Sequence, residues 1–176
     1  MTIPVTTAPY LAATLLLGAA GVAKMARPSS TANALRVAGL PASLILVRLL
    51  ASAEIAVAIL AVAAPGRLTG VLVAVVYAAF TVFIVVALHR RWVLLSCGCF
   101  GRPDTPPTVA HAVLDAGAAV SAGWWAATWP GGDDVDRLRR IFVDQPWHGA
   151  PLTLVTLVLS GLAFLVWTDP LPGARQ

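Results

Sequence analysis

"ASLILVRLLASAEIAVAILAVAAPGRLTGVLVAVVYAAFTVFIVVAL", residues 42–88, decides the fold. Two apolar stretches, Ala42–Ala64 and Leu68–Leu88, flank a tight turn at Pro65-Gly66-Arg67. Each reaches the roughly 20 residues that a helix needs to cross a hydrocarbon core. The stretches themselves hold just two charged side chains, Arg48 and Glu54. Backbone at that depth must satisfy its own hydrogen bonds, so the pair reads as a transmembrane helical hairpin.

Working outward, three more apolar blocks follow the same rule: Ala8–Met25, Thr108–Trp129 and Leu152–Trp167. The last is short and spans with little tilt or with local thinning. The 176-residue chain is 59% hydrophobic and 11% charged, against roughly 25% charged residues in soluble domains. The expected fold is therefore all-α: a polytopic membrane helical bundle with a four-helix core plus a fifth C-terminal transmembrane helix. Residues 1–130 form that core, and 131–176 hold an interfacial amphipathic helix and the fifth span. "MTIPVTTAPY" lacks the basic start of a secretion signal, so the first block is read as a helix. A net charge of +4 spread over the loops suggests membrane lipid, and no nucleic acid, as partner.

The connections are informative. "RPSSTANALRVAGLP" has a polar start at Ser29-Ser30-Thr31 and a stop at Gly39 before Pro41, predicting a short interfacial helix. "PGGDDVDRLRRIFVDQPWHGAP" predicts another, capped at Asp133 or Asp134, with Val135, Leu138 and Phe142 on one side. Trp92, Trp124, Trp125, Trp129, Trp147 and Trp167 fall near predicted helix ends, where indoles favour the membrane interface. Let side B be the face reached after the first helix. Lys24, Arg27, Arg36, Arg90, Arg91, Arg102 and Arg175 lie there, and Arg67, Arg137, Arg139 and Arg140 lie on side A. Basic residues favour the cytoplasm, which leans side B inward.

Ionisable groups inside a membrane are costly and mark function. Glu54 is the sole glutamate of the chain, near the middle of its helix. Arg48 lies six residues away, about 120° around the helix, so the two do not share a face. Arg48 can snorkel to the interface, whereas Glu54 is too short. Lys24, across the bundle, is the expected partner, in a structural ion pair or in proton handling. His111 and Asp115 are four apart on one helix face, where a carboxylate can orient or charge an imidazole. A histidine at headgroup level beside an otherwise paired aspartate is the plainer alternative.

Both cysteines of the chain, Cys97 and Cys99, fall in "RRWVLLSCGCFGRP", residues 90–103. The apolar run before them is too short to cross the membrane and lies along the interface or dips back in. Two Cα atoms two residues apart are at most about 7 Å apart, so a turn at Gly98 admits a disulfide. That bond closes almost no loop and is a poor staple; strain would make it quick to exchange. A redox pair, two inert buried thiols, and zinc or copper(I) bound with His89 or His111 all remain open.

"CGCFG", Cys97–Gly101, before a helix resembles the MauE family of membrane proteins from methylamine-utilisation clusters. "GAAGVAKMARP" with Lys24 and Pro28, "AGLP" at Ala38–Pro41, and a helix bearing Glu54 are similar to the related DoxX family. The resemblance covers about residues 8–130. It implies a compact bundle tied to thiol–disulfide chemistry, alongside a thioredoxin-like partner and a disulfide-rich periplasmic protein. Quinone-linked disulfide generators such as vitamin K epoxide reductase are an analogy of architecture only. Where this chain has Asp115 the family favours asparagine, and no quinone-site signature is recognisable.

The expected activity is a membrane thiol–disulfide oxidoreductase exchanging disulfides with a thioredoxin-like or secreted protein, with quinone as cofactor and no metal. Cys97 and Cys99 exchange; Glu54, His111 and Asp115 handle protons; Lys24, Arg48 and Phe100 bind substrate or cofactor. The expected location is the cell inner or plasma membrane, multi-pass. The cysteine loop is expected on the extracytoplasmic side, where disulfides persist. The alternatives are a non-catalytic subunit that anchors or assembles a redox complex, and a Cys/His metal-handling protein.

Overall fold

The computed structural model describes residues 7–92, 107–129 and 150–168, which form six helices and no strand. These are α1 (Thr7–Ala26), α2 (Pro28–Val37), α3 (Leu44–Ala63), α4 (Arg67–His89), α5 (Val109–Thr128) and α6 (Ala150–Thr168). The long helices follow the apolar blocks to within two residues at each end. Three of them, α1, α3 and α4, are long and apolar enough to cross a membrane. The chain is a membrane protein. α5 has the length but dilutes its apolar residues with Gly117, Ser121, His111 and Asp115.

Local chemistry sets the helix ends. Ser43 caps α3 by accepting the Leu46 N–H at 3.1 Å. At the head of α4 the Thr69 hydroxyl accepts the Gly66 N–H at 2.9 Å. α2 starts at Pro28 with Arg27 before it, one residue ahead of the expected serine start, because a ring-fixed φ suits the first helical position. Its end is the expected one: Gly39 sits at φ 74°, and the Leu40 and Gly39 N–H groups close on the Leu35 and Arg36 carbonyls. The same pair of bonds ends α4, from Trp92 to Ala87 and from Arg91 to Leu88. There the left-handed position is filled by Arg91 at φ 51°.

α1 is the inner helix. It packs along α3 and also touches α2, α4, α5 and α6, while α4 packs along α5. Small residues permit this: a Cβ on Gly21 would lie 2.8 Å from Ile55 Cγ1 and 2.9 Å from the Ala51 carbonyl oxygen. Such close approach is how helices associate where no hydrophobic effect drives them. α3 and α4 expose Ile45, Leu49, Ile59, Leu60, Val75, Val82 and Val85, the surface that hydrocarbon covers.

Near side A, Tyr10 of α1 stacks on Trp125 of α5 with ring centroids 4.7 Å apart. The Tyr10 hydroxyl reaches the Ala61 carbonyl at 3.3 Å and Thr69 Oγ1 at 3.4 Å. Tyr77 of α4 donates to the Ala13 carbonyl at 2.7 Å. Trp125 is 1% exposed, which corrects its reading as an interfacial anchor. It packs against the rings of Tyr10 and Trp129, on a turn of α5 that lies against Gly70 of α4. Its neighbour Trp124, 62% exposed, does face outward as expected. The helix expected around Val135–Phe142 lies outside the described residues, as do Cys97, Cys99 and Phe100.

Candidate functional site

Lys24 and Glu54 are the sole lysine and the sole glutamate of the chain, and they meet. Lys24 Nζ donates to both carboxylate oxygens of Glu54 at 2.7 Å. Both side chains are buried. Gly21, one turn before Lys24, brings α1 against the α3 turn that carries Glu54. The ammonium also sits 4.4 Å from the centroid of the Phe80 ring of α4, whose electron-rich face suits a cation. Two charges can be held in an apolar interior only by such mutual compensation. Phe80 was not foreseen from sequence, since a ring–cation contact across helices leaves no local pattern.

A carboxylate and an ammonium 2.7 Å apart can pass a proton between them without changing the net charge. The pair can thus be ionic or neutral at little cost in long-range electrostatics, an arrangement suited to proton-coupled chemistry as well as to structural bracing. Arg48 takes no part in the pair: it is exposed on a different face of α3, as the 120° offset requires.

His111 and Asp115 are both 2% exposed, on the first two turns of α5. His111 Nδ1 accepts the Thr108 N–H at 3.1 Å and lies 2.7 Å from the Thr108 hydroxyl. His111 therefore caps α5, doing for Thr108 what glutamate does in a capping box. The Thr-x-x-His spacing was the available signal for it. α4 links this end of α5 to the ion pair: Phe80 touches Lys24, and Ile84, one turn on, packs against Ala112.

Both described ends that flank the cysteine segment lie at this end of the bundle. Trp92 folds back beside Phe83, with ring centroids 6.2 Å apart, in a cluster with Ala34 of α2 and Ala87. Thr108 is held by His111. Among the described residues no group of three or more His, Cys, Asp or Glu side chains comes together.

An apolar cleft of about 300 Å³ opens between α1, α5 and α6, lined by Ala12, Leu16, Leu114, Gly117, Ser121 and Leu162 among others. The Ser121 hydroxyl donates to the Ala118 carbonyl. Among the described lining residues, no side chain offers a spare hydrogen-bond donor for the ring carbonyls of a quinone.

The long apolar helices define the class, a helical membrane protein. Within it, residues 1–128 match the family described as methylamine utilisation protein MauE, and the chain belongs to that family. No curated protein and no solved structure matches the chain. The family match ends at Thr128, the last residue of α5, so α6 lies beyond it. Lys24, Glu54, His111, Asp115 and both cysteines lie within it.

Proposed function

We propose that the chain is a membrane thiol–disulfide oxidoreductase of methylamine utilisation, with residues 1–130 as its working unit. A partner thiolate attacks one sulfur of a Cys97–Cys99 disulfide. The mixed disulfide resolves to a disulfide on the partner, leaving Cys97 and Cys99 as two thiols. The partner is a thioredoxin-like or secreted protein. Re-forming the Cys97–Cys99 disulfide would release two electrons and two protons, for which a lipid-soluble quinone would supply the acceptor. Glu54, with Lys24 as its counter-ion, and His111 with Asp115 are the groups offered for those protons.

The observation that carries this reading is placement. The only two cysteines of the chain sit one residue apart on a segment whose flanks, Trp92 and Thr108, are pinned beside one end of the bundle. The test is the in-cell redox state of Cys97 and Cys99, trapped by acid quenching and differential thiol labelling. A large oxidised fraction that changes on quinone depletion supports the reaction. Fully reduced thiols indifferent to quinone sink it.

A second reading is favoured by one observation: Arg27, Arg36, Arg48, Arg90 and Arg91 are all exposed towards side B. None is taken up by the ion pair, which uses Lys24 alone. By the positive-inside rule that end then faces the cytoplasm, where thiols stay reduced. The chain would in that case anchor or assemble a redox complex.

A further inference from the structure

We infer that the α2 end of the bundle is a docking surface for anionic phospholipid headgroups. Among the described residues the only acidic side chains are Glu54 and Asp115, and both are buried. Every exposed charge in that set is therefore an arginine, and all but Arg67 belong to the side-B half.

α2 is built for an interface. Ala32 and Ala34 face inward, and Ala34 packs with Ala87, Phe83 and Trp92. On the outer face Ser29, Asn33 and Arg36 recur at helical spacing and are exposed. Arg27 precedes the helix. The Arg36 guanidinium donates to Asn33 at 2.9 Å through one nitrogen, and a guanidinium has five N–H donors in all. Trp92, folded onto Phe83 and the α2 contact, brings Arg90 and Arg91 to the same end. Beside these cations Val37, Leu40, Leu44 and Ile45 are exposed, an apolar border suited to the acyl boundary. Arg48, one turn into α3, can extend its side chain up to the same headgroup level. Guanidinium groups hold phosphate oxygens by paired hydrogen bonds, and no exposed carboxylate among the described residues competes for them.

The test uses the full chain in nanodiscs of phosphatidylcholine alone or mixed with phosphatidylglycerol, reading bound lipid by native mass spectrometry. Phosphatidylglycerol is expected to be enriched, less so at high salt. Combined Arg27→Gln, Arg36→Gln and Arg90→Gln should cut the enrichment by roughly fivefold per arginine. Arg67→Gln, at the other end, should keep it. Arg36→Gln alone gives the same reading if the triple variant folds poorly. Undiminished enrichment in these variants overturns the inference. So does full displacement of the lipid by inorganic phosphate at constant ionic strength, which would mark a site for the free anion. Substituting Cys97 and Cys99 leaves the expected result unchanged, so this surface and the redox reading fail separately.

Discussion

Lys24 Nζ lies 2.7 Å from each carboxylate oxygen of Glu54, so the only lysine and the only glutamate of the chain neutralise each other inside the bundle. Removing one member strands the other in an apolar interior. Glu54→Gln or Lys24→Met should each cost about 3–5 kcal/mol. Replacing both, as Lys24→Met with Glu54→Leu, should recover most of that loss. Thermal unfolding in detergent checks the stability; disulfide exchange in the recovered double variant separates bracing from chemistry. A fully active double variant would assign the pair to bracing.

Gly21 is where α1 and α3 come closest. The added Cβ of Gly21→Ala would meet the Ala51 carbonyl oxygen at 2.9 Å, and backbone cannot swing aside as a flexible side chain can. Overpacking of this kind costs about 1–3 kcal/mol, and here it also pushes apart the helices that carry Lys24 and Glu54. Gly117 is the control, since nothing lies within 4 Å of its added Cβ. Gly117→Ala should gain up to about 1 kcal/mol from helix propensity. Equal effects of the two substitutions, in parallel unfolding measurements, would refute the close contact.

Adjacent tryptophans on α5 should behave oppositely. Trp125→Ala opens a cavity beneath Tyr10 and Trp129 and should cost about 3–5 kcal/mol. Trp124→Ala, on the exposed face, should cost little in detergent. Among the described residues the Trp125 indole N–H has no hydrogen-bond partner. Trp125→Phe should accordingly be far milder than Trp125→Ala. Similar losses for Trp124→Ala and Trp125→Ala would contradict the burial.

Those residues also show what a one-dimensional reading can reach. The long helices were legible because a bilayer converts length and apolarity directly into spans. The Lys24–Glu54 pair was legible because each is the sole residue of its kind and neither can stay unpaired at that depth. Arg48 was placed outside the pair by its offset from Glu54, though its role in binding was not thereby excluded. Trp125 was misread because position along a helix is written in the sequence, whereas the direction it faces depends on neighbouring helices. His111 was paired with Asp115 in the turn ahead, while the backbone contact it makes runs to Thr108 in the turn behind. Phe80 reached Lys24 only through tertiary packing.

Arg91 holds a left-handed conformation that favours glycine, at φ 51° in the turn that closes α4. A side chain there costs about 1–2 kcal/mol. Arg91→Gly should raise stability by about 1 kcal/mol in neutral lipid, where loss of the positive charge has no headgroup consequence. Trp92→Ala should lower it, through loss of the contact with Phe83. Because this turn launches the cysteine segment, both variants should also be compared in disulfide exchange. A destabilising Arg91→Gly would mean that the arginine side chain holds the turn through contacts stronger than its backbone strain.

Orientation decides between the two functional readings, and α2 reports it. Asn33 is exposed on the outer face of that helix, at the same end as Arg27 and Arg36. Asn33→Cys in a Cys97→Ser/Cys99→Ser background gives a single thiol for a membrane-impermeant maleimide. The proposed disulfide exchange with a secreted protein predicts labelling in intact cells, because that protein meets its partner outside. Labelling only after permeabilisation would put α2 and the cysteine segment in the cytoplasm. The exposed arginines would then obey the positive-inside rule, and a reducing compartment would hold Cys97 and Cys99 as thiols. The anchoring role would follow from that result without any change to the fold or to the buried ion pair.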